Sequence, residues 1–200
     1  MEIKLDKNKK VKVGNPEDVY PIMKEILLRE NRIGRAQEHF WMVGLNQTNK
    51  ILYIELVSLG ASNMAAIQPR EAFRLAIHKL AIRVILVHNH PSGDVEPSEM
   101  DQDLTDHFIQ AGRFLNVQVI DHLIINEKTH YSFVNSGLFA ELQESKKYVL
   151  PYELEERAKN EGIDIGIKEG KIEMAKAMKV DGVSVELIEK YTHLSREEIE

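Results

Sequence analysis

His88-Asn89-His90-Pro91-Ser92-Gly93-Asp94-Val95-Glu96-Pro97-Ser98-Glu99-Met100-Asp101 decides how this chain is read. It holds two imidazoles two residues apart, a turn-rich connector, and then a serine and a carboxylate three residues apart. Just ahead of it, Val84-Ile85-Leu86-Val87 is an apolar, largely β-branched run of the kind that forms a buried strand. Side chains at i and i+2 of a strand share a face, so His88 and His90 aim at one point. On the far side, Met100, Leu104, Phe108, Ala111 and Leu115 recur at helical spacing, and Ser98 and Asp101 fall on or beside that inward face. An inward carboxylate needs a partner, because burying an unpaired charge is costly. Two neutral imidazoles and one carboxylate meeting at one point form a three-ligand zinc site with a position left open.

Working outward, Asn15-Pro16-Glu17-Asp18 starts a helix whose Val19, Ile22, Met23, Ile26 and Leu27 lie on one face. Asn31 to Ala36 reads as a polar connector. Phe40 to Leu45, with the single tryptophan Trp41, is continuously apolar and reads as a strand buried on both faces. Asn46 to Lys50 is turn material and Ile51 to Leu59 a second strand, which predicts a hairpin. Gly60 to Gln68 is a loop. Pro69 opens a helix with Phe73, Ala76, Ile77 and Leu80 as its buried stripe. After the central motif come a strand over Val117 to Asn126 and a short one over Tyr131 to Val134. In the former, Asp121 is in phase with Val119 and Leu123, and Asp121-His122 reads as a structural hydrogen-bonded pair. The element order predicts an α/β domain over residues 14–140 with one mixed sheet.

Residues 151–200 differ in character. Tyr152 to Lys179 is rich in Glu, Lys, Ile and Ala and carries Gly162, Gly166 and Gly170, a row that either admits a second helix closely or marks a marginal one. Ser184 caps a short helix, and Ser195-Arg196-Glu197-Glu198 is a capping box. This segment has 8 Lys and Arg against 13 Asp and Glu, so it reads as an association or docking appendage, not a DNA-reading one.

Composition narrows the function classes. The 200 residues carry a net charge of −6, which argues against whole-protein attraction to nucleic acid. Lysines 4, 7, 9, 10 and 12 make residues 1–13 a short, flexible basic arm. Cysteine is absent, which removes disulfides and thiolate metal sites and is compatible with a reducing cytoplasm. No apolar run approaches the roughly 18 residues of a membrane span, and the first residues lack a secretory core. The expectation is a cytoplasmic protein without a membrane partner.

A zinc ion with three protein ligands brings the pKa of water near 7, and hydrolysis then needs a carboxylate base close by. Glu38, at the start of the first strand in phase with Phe40 and Met42, is favoured by pattern. Glu55, mid-strand among apolar neighbours, fits an edge or surface-facing position better, but spacing leaves it open. Ser98 could donate to a developing oxyanion. Taken alone, Ser98-x-x-Asp101 is explained more simply as a helix capping box. The combination of an apolar strand, a shared histidine face and an inward Asp is what turns the reading towards metal.

These residues resemble the JAB/MPN-type (JAMM) metalloprotease-like domain, and most closely its bacterial RadC branch. The pattern of an upstream Glu, His-x-His, seven residues, Ser, two residues and Asp is matched by Glu38, His88, His90, Ser98 and Asp101. His88-Asn89-His90-Pro91-Ser92-Gly93, Pro97-Ser98 and Val119-Ile120-Asp121-His122 carry the RadC flavour over residues 36–135. The resemblance implies a JAB/MPN-like (cytidine-deaminase-like) fold with flanking helices and one zinc per chain held by His88, His90 and Asp101. It also implies Glu38 rather than Glu55 as general base, Ser98 as oxyanion helper, and a protein or peptide substrate cut at a peptide or isopeptide bond. A rival expectation is a DNA-metabolism accessory protein with a mainly structural zinc site. DNA binding is not supported by charge, and the helix-hairpin-helix region that RadC proteins commonly carry before this domain is not evident. A third is a non-catalytic scaffold that self-associates through residues 151–200. That tail, ending Leu194-Ser195-Arg196-Glu197-Glu198-Ile199, resembles the Lys/Glu/Gly-rich C-terminal segments of some bacterial transposase-like nucleases.

Overall fold

The structure, a computed structural model, describes residues 1–3, 12–60 and 67–199. The chain divides into two compact units, Met1–Tyr148 and Val149–Glu200.

In the first unit a 3₁₀ turn, Pro16–Val19, leads into α1 (Tyr20–Leu28), and a four-residue helix α2 (Arg32–Arg35) follows. The polar connector expected at 31–36 is thus partly helical, because the Asn31 side chain accepts from the Gly34 N–H and caps it. Then come β1 (His39–Leu45), β2 (Ile51–Leu59), α3 (Pro69–His78), β3 (Arg83–Asn89) and α4 (Glu99–Phe114). β4 (Gln118–Ile125), β5 (His130–Ser132), α5 (Phe133–Ser136) and α6 (Leu138–Gln143) complete the unit. The sheet runs β2-β1-β3-β4-β5, antiparallel except for the parallel β3–β4 pair that α4 connects. It is the single mixed sheet the element order predicts.

Alternation along the strands divides the core in two. Phe40 and Met42 of β1 and Val84 and Leu86 of β3 pack with Phe73 of α3 and Leu104 and Phe108 of α4. Trp41, Val43 and Leu45, with Ile85 and Val87, pack on the other face against Met23, Ile26 and Leu27 of α1. Burying a side chain of this size contributes about 1.5–3 kcal/mol, so a sheet covered on both faces holds β1 and β3 rigidly. Their uninterrupted apolar character follows from that double cover. Gly112 lets α4 turn closely into β4: a Cβ there would lie 2.5 Å from the Val117 carbonyl oxygen and 3.3 Å from Phe73.

Several expectations are corrected. In α3 the buried stripe is Pro69, Ala72, Phe73 and Ala76, whereas Ile77 and Leu80 are exposed. Ile77 lies within α3 on its exposed side, and Leu80 lies beyond the end of the helix, at φ 54°. On α4 the inward row is Asp101, Leu104, Thr105 and Phe108, with Met100 half exposed at its flank. The strand expected through Val134 stops at Ser132, whose hydroxyl accepts from Asn135 N–H and starts α5 instead. Glu55 lies on the edge strand β2 but is buried, not surface-facing. The described ends of the basic arm are held in place: Ile3 N–H donates to the Ile54 carbonyl, Lys12 bridges to Lys50, and Val13 is buried. The lysines between them, and the loop over 61–66, lie outside the described residues.

The second unit is a 30-residue helix α7 (Pro151–Val180), then α8 (Val185–Thr192) and α9 (Arg196–Ile199). Ala175, Ile188 and Leu194 form its small core, flanked by Ile172, Met178, Val183 and Val185. Among the described residues nothing lies within 4 Å of a Cβ added at Gly162, Gly166 or Gly170, so the glycine row admits no neighbour here.

Candidate metal centre

Strand β3 delivers His88 at its buried end, and His90 follows where the chain leaves the sheet. As i, i+2 parity requires, the two rings share a side, with Nε2 atoms 2.9 Å apart. Helix α4 presents Asp101 from its first turn, with Oδ1 3.2 Å from His88 Nε2 and Oδ2 3.3 Å from His90 Nε2. Glu38 arrives just before β1. That strand pairs antiparallel with β3, Phe40 opposite His88, and continuing the register sets Glu38 level with His90. Ligand atoms of Glu38, His88, His90 and Asp101 all lie within 4.8 Å of one another. Glu55 is elsewhere: it pairs with Met42, and its nearest cations are Arg74 at 3.8 Å and the Met1 amine at 3.9 Å.

The electrostatics follow from burial and convergence. Burial alone would push the Asp101 carboxyl up, but the adjacent His88 and His90 nitrogens and the Ser98 hydroxyl outweigh it and hold Asp101 well below the carboxylate range. Burial lowers the His88 imidazole despite Asp101, so the ring is kept neutral. His90, less buried, is raised by its contact with Asp101. Glu38 is raised, chiefly by loss of water and further by the Asp101 charge, with His90 opposing.

Ser98 makes both halves of the capping box. Its N–H donates to Asp101 Oδ2 at 2.8 Å and its Oγ accepts from Asp101 N–H at 3.2 Å. Its hydroxyl proton goes to Asp101 Oδ2 at 2.6 Å, so an oxyanion would have to draw that proton away from Asp101.

Chemically, when both rings are neutral the cluster can offer nitrogen and carboxylate lone pairs to a single point. A carbonyl only accepts, so the 3.1 Å contact of His90 Nδ1 with the Asp94 carbonyl fixes the N–H on Nδ1 and leaves Nε2 of the neutral ring bare. Two imidazole nitrogens at 2.9 Å beside an ionised carboxylate could hold a cation between them, and nitrogen plus carboxylate oxygen is a donor set that zinc accepts. The residues present fit the ion. A cleft of about 240 Å³, lined by Leu27, Arg35, Pro91, Asn126 and Lys128 among others, meets the cluster at His90 alone.

Two residues were missed in the sequence. Asn89 faces away from the histidines and clamps the chain on either side of Glu38. Its Oδ1 accepts from His39 N–H at 2.8 Å and its Nδ2 donates to the Gln37 carbonyl at 3.1 Å. His122 stands behind His88, with Nε2 2.8 Å from His88 Nδ1 and Nδ1 2.6 Å from Thr105 Oγ1. It is fully buried, stacked on Phe133 and edge-on to Phe40, and burial holds its pKa well below the ordinary value. Strand parity concealed it. Val119 belongs to one core and Leu123 to the other, because an irregularity between the Val84–Val119 and Ile85–Asp121 pairs breaks the phase of β4. The Asp121-His122 pairing is only a 2.7 Å bond from the His122 backbone N–H to Asp121; the ring turns to His88.

This fold and this centre define a class: the chain belongs to the RadC-like JAB domain family, whose model matches residues 13–138. Among curated relatives it is 42% identical over 127 residues to a UPF0758 protein of Caldanaerobacter subterraneus, covering 64% of this chain and 52% of that one. A UPF0758 protein of Pelodictyon phaeoclathratiforme is 47% identical over 103 residues, covering 52% and 46%. One from Staphylococcus haemolyticus is 38% identical over 134 residues, covering 67% and 57%. The chain spans about half the length of the curated relatives it matches. Among the described residues no helix is long and apolar enough to cross a membrane.

Proposed function

We propose that the domain is a zinc-dependent hydrolase of peptide or isopeptide bonds, with His88, His90 and Asp101 as ligands, Glu38 as general base and Ser98 as an oxyanion donor. The observation that carries the reading is the convergence of two imidazoles and two carboxylates from three separate segments at one point. When bound, zinc would polarise the scissile carbonyl and make water acidic enough to ionise near neutral pH. Glu38, raised by its desolvated position, would take a proton from the attacking water and pass it to the leaving amine as the C–N bond breaks. Asn89 keeps the base in place by fixing both neighbouring backbone segments. The Ser98 hydroxyl supports Asp101 in the resting site and can turn its proton to the carbonyl oxygen as negative charge builds there.

Glu38→Gln tests this. The variant should hold zinc as wild type does while cleavage of a peptide and isopeptide-linked substrate library falls by about 10²-fold or more. Unchanged turnover in Glu38→Gln, or a zinc-loaded wild type that cuts nothing in either library, would overturn the proposal.

A further inference from the structure

The histidine behind the centre has a chemical role that follows from where each proton must be. Thr105 Oγ1, one helical turn after Asp101, lies 2.5 Å from the Asp101 backbone carbonyl and 2.6 Å from His122 Nδ1. A hydroxyl has one proton, and a carbonyl can only accept. The Thr105 proton therefore goes to the Asp101 carbonyl, since the alternative would press two lone pairs together at 2.5 Å in a dry interior. Thr105 Oγ1 then accepts from His122, which places the His122 proton on Nδ1 and leaves its Nε2 bare. At 2.8 Å that bare nitrogen accepts from His88, so the His88 proton is on Nδ1. The nitrogen His88 turns to His90 and Asp101 is consequently a free lone pair.

We infer that His122 and Thr105 are positioning residues that lock His88 in its Nδ1–H tautomer, so that its Nε2 is presented unprotonated to a metal. This rests on the metal-site reading above. The lock begins and ends on the metal-binding residues: it starts at the His88 ring and closes on the backbone carbonyl of Asp101, so β3, β4 and α4 are held together by one directional relay. Phe40 and Phe133 close around the His122 ring, and His122 and Thr105 are both fully buried. In Thr105→Val the His122 Nδ1–H loses its acceptor. The ring then relaxes to the Nε2–H form, which donates to His88 and drives the His88 proton onto the ligating nitrogen. Partners of this kind behind a ligating histidine typically govern metal affinity by about 10–100-fold.

The test has two parts, both on the full chain. Nitrogen NMR of the histidine side chains in metal-free wild type should show protons on Nδ1 of both His88 and His122; a proton on His122 Nε2 overturns the inference. Competition titration with zinc should show Thr105→Val weakened by about 10–100-fold and Thr105→Ser close to wild type. Equal affinity in all three proteins overturns the lock. Failure of wild type to bind zinc at all defeats the metal-site reading instead, while the NMR result still decides the relay. The NMR arm also decides it if Thr105→Val does not fold.

Discussion

Asp101 and Asp121 are both buried carboxylates, and their surroundings drive them in opposite directions. Asp101 faces two imidazoles and a hydroxyl and is held low. Among the described residues Asp121 has no cationic partner. It accepts from Ser132 Oγ at 2.7 Å and from the His122 and Val134 N–H groups, but burial outweighs these and pushes it from 3.8 up to about 6. A carboxyl raised in the folded state binds more protons there than in the unfolded chain between about pH 4 and 6, so this group makes stability fall as pH rises through that window. The full effect is about 3 kcal/mol at 1.36 kcal/mol per pKa unit. Asp121→Asn retains polar contacts without the charge and should lose this slope. Denaturant unfolding of both proteins at pH 4.5 and pH 7 checks it, and parallel stability changes in the two would contradict the assignment. At this scale the sequence was informative where parity is simple: His88, His90 and the inward Asp101 follow from strand and helix periods alone. His122 was hidden because the irregularity in β4 reverses which side its neighbours face, and no residue pattern marks where that occurs.

At the scale of elements, the choice between Glu38 and Glu55 shows what pattern alone leaves open. Both precede or occupy strands with suitable phase, and only the β1–β3 register sets Glu38 level with His90 and Glu55 opposite Met42, one strand further out. Pairing partners are a tertiary fact. The α3 stripe was drawn too far: the helix ends at His78, ahead of the left-handed Leu80, and its buried row is Ala72, Phe73 and Ala76. For helix α7, composition left two readings open, a row that admits a second helix or a marginal helix. From Pro151 to Gly170 no described side chain is buried, three glycines each weaken the helix by about 1 kcal/mol, and Ile163, Ile165 and Ile167 are about half exposed. Beyond Gly170, Ala175 meets Ile188 and Leu194 in a core. Amides between 155 and 170 should therefore exchange roughly tenfold or more faster than those of Ala175, Met178 and Ile188. Hydrogen exchange by mass spectrometry reads this directly, and uniform protection along α7 would show that its first half has a partner in solution.

For the whole molecule, the sheet acts as a rigid jig. It is covered on both faces, so the ends of β1 and β3 are fixed where Glu38 and the histidines leave it, and α4 needs only its capped first turn to bring Asp101 across. Charge is unevenly divided: the 8 basic and 13 acidic residues after 150 leave 18 against 19 in residues 1–150, so most of the net charge of −6 belongs to the tail. The acidic balance thus describes the appendage and not the domain that carries the centre. The proposed activity of that domain depends on His88, His90 and Asp101 holding a metal. The direct measurement is the zinc content of the full chain purified without chelator, beside His88→Ala and Glu38→Gln. About one zinc per chain is expected in wild type and Glu38→Gln, and background levels in His88→Ala. Wild type that carries no zinc, and takes up none when it is supplied, would contradict that expectation.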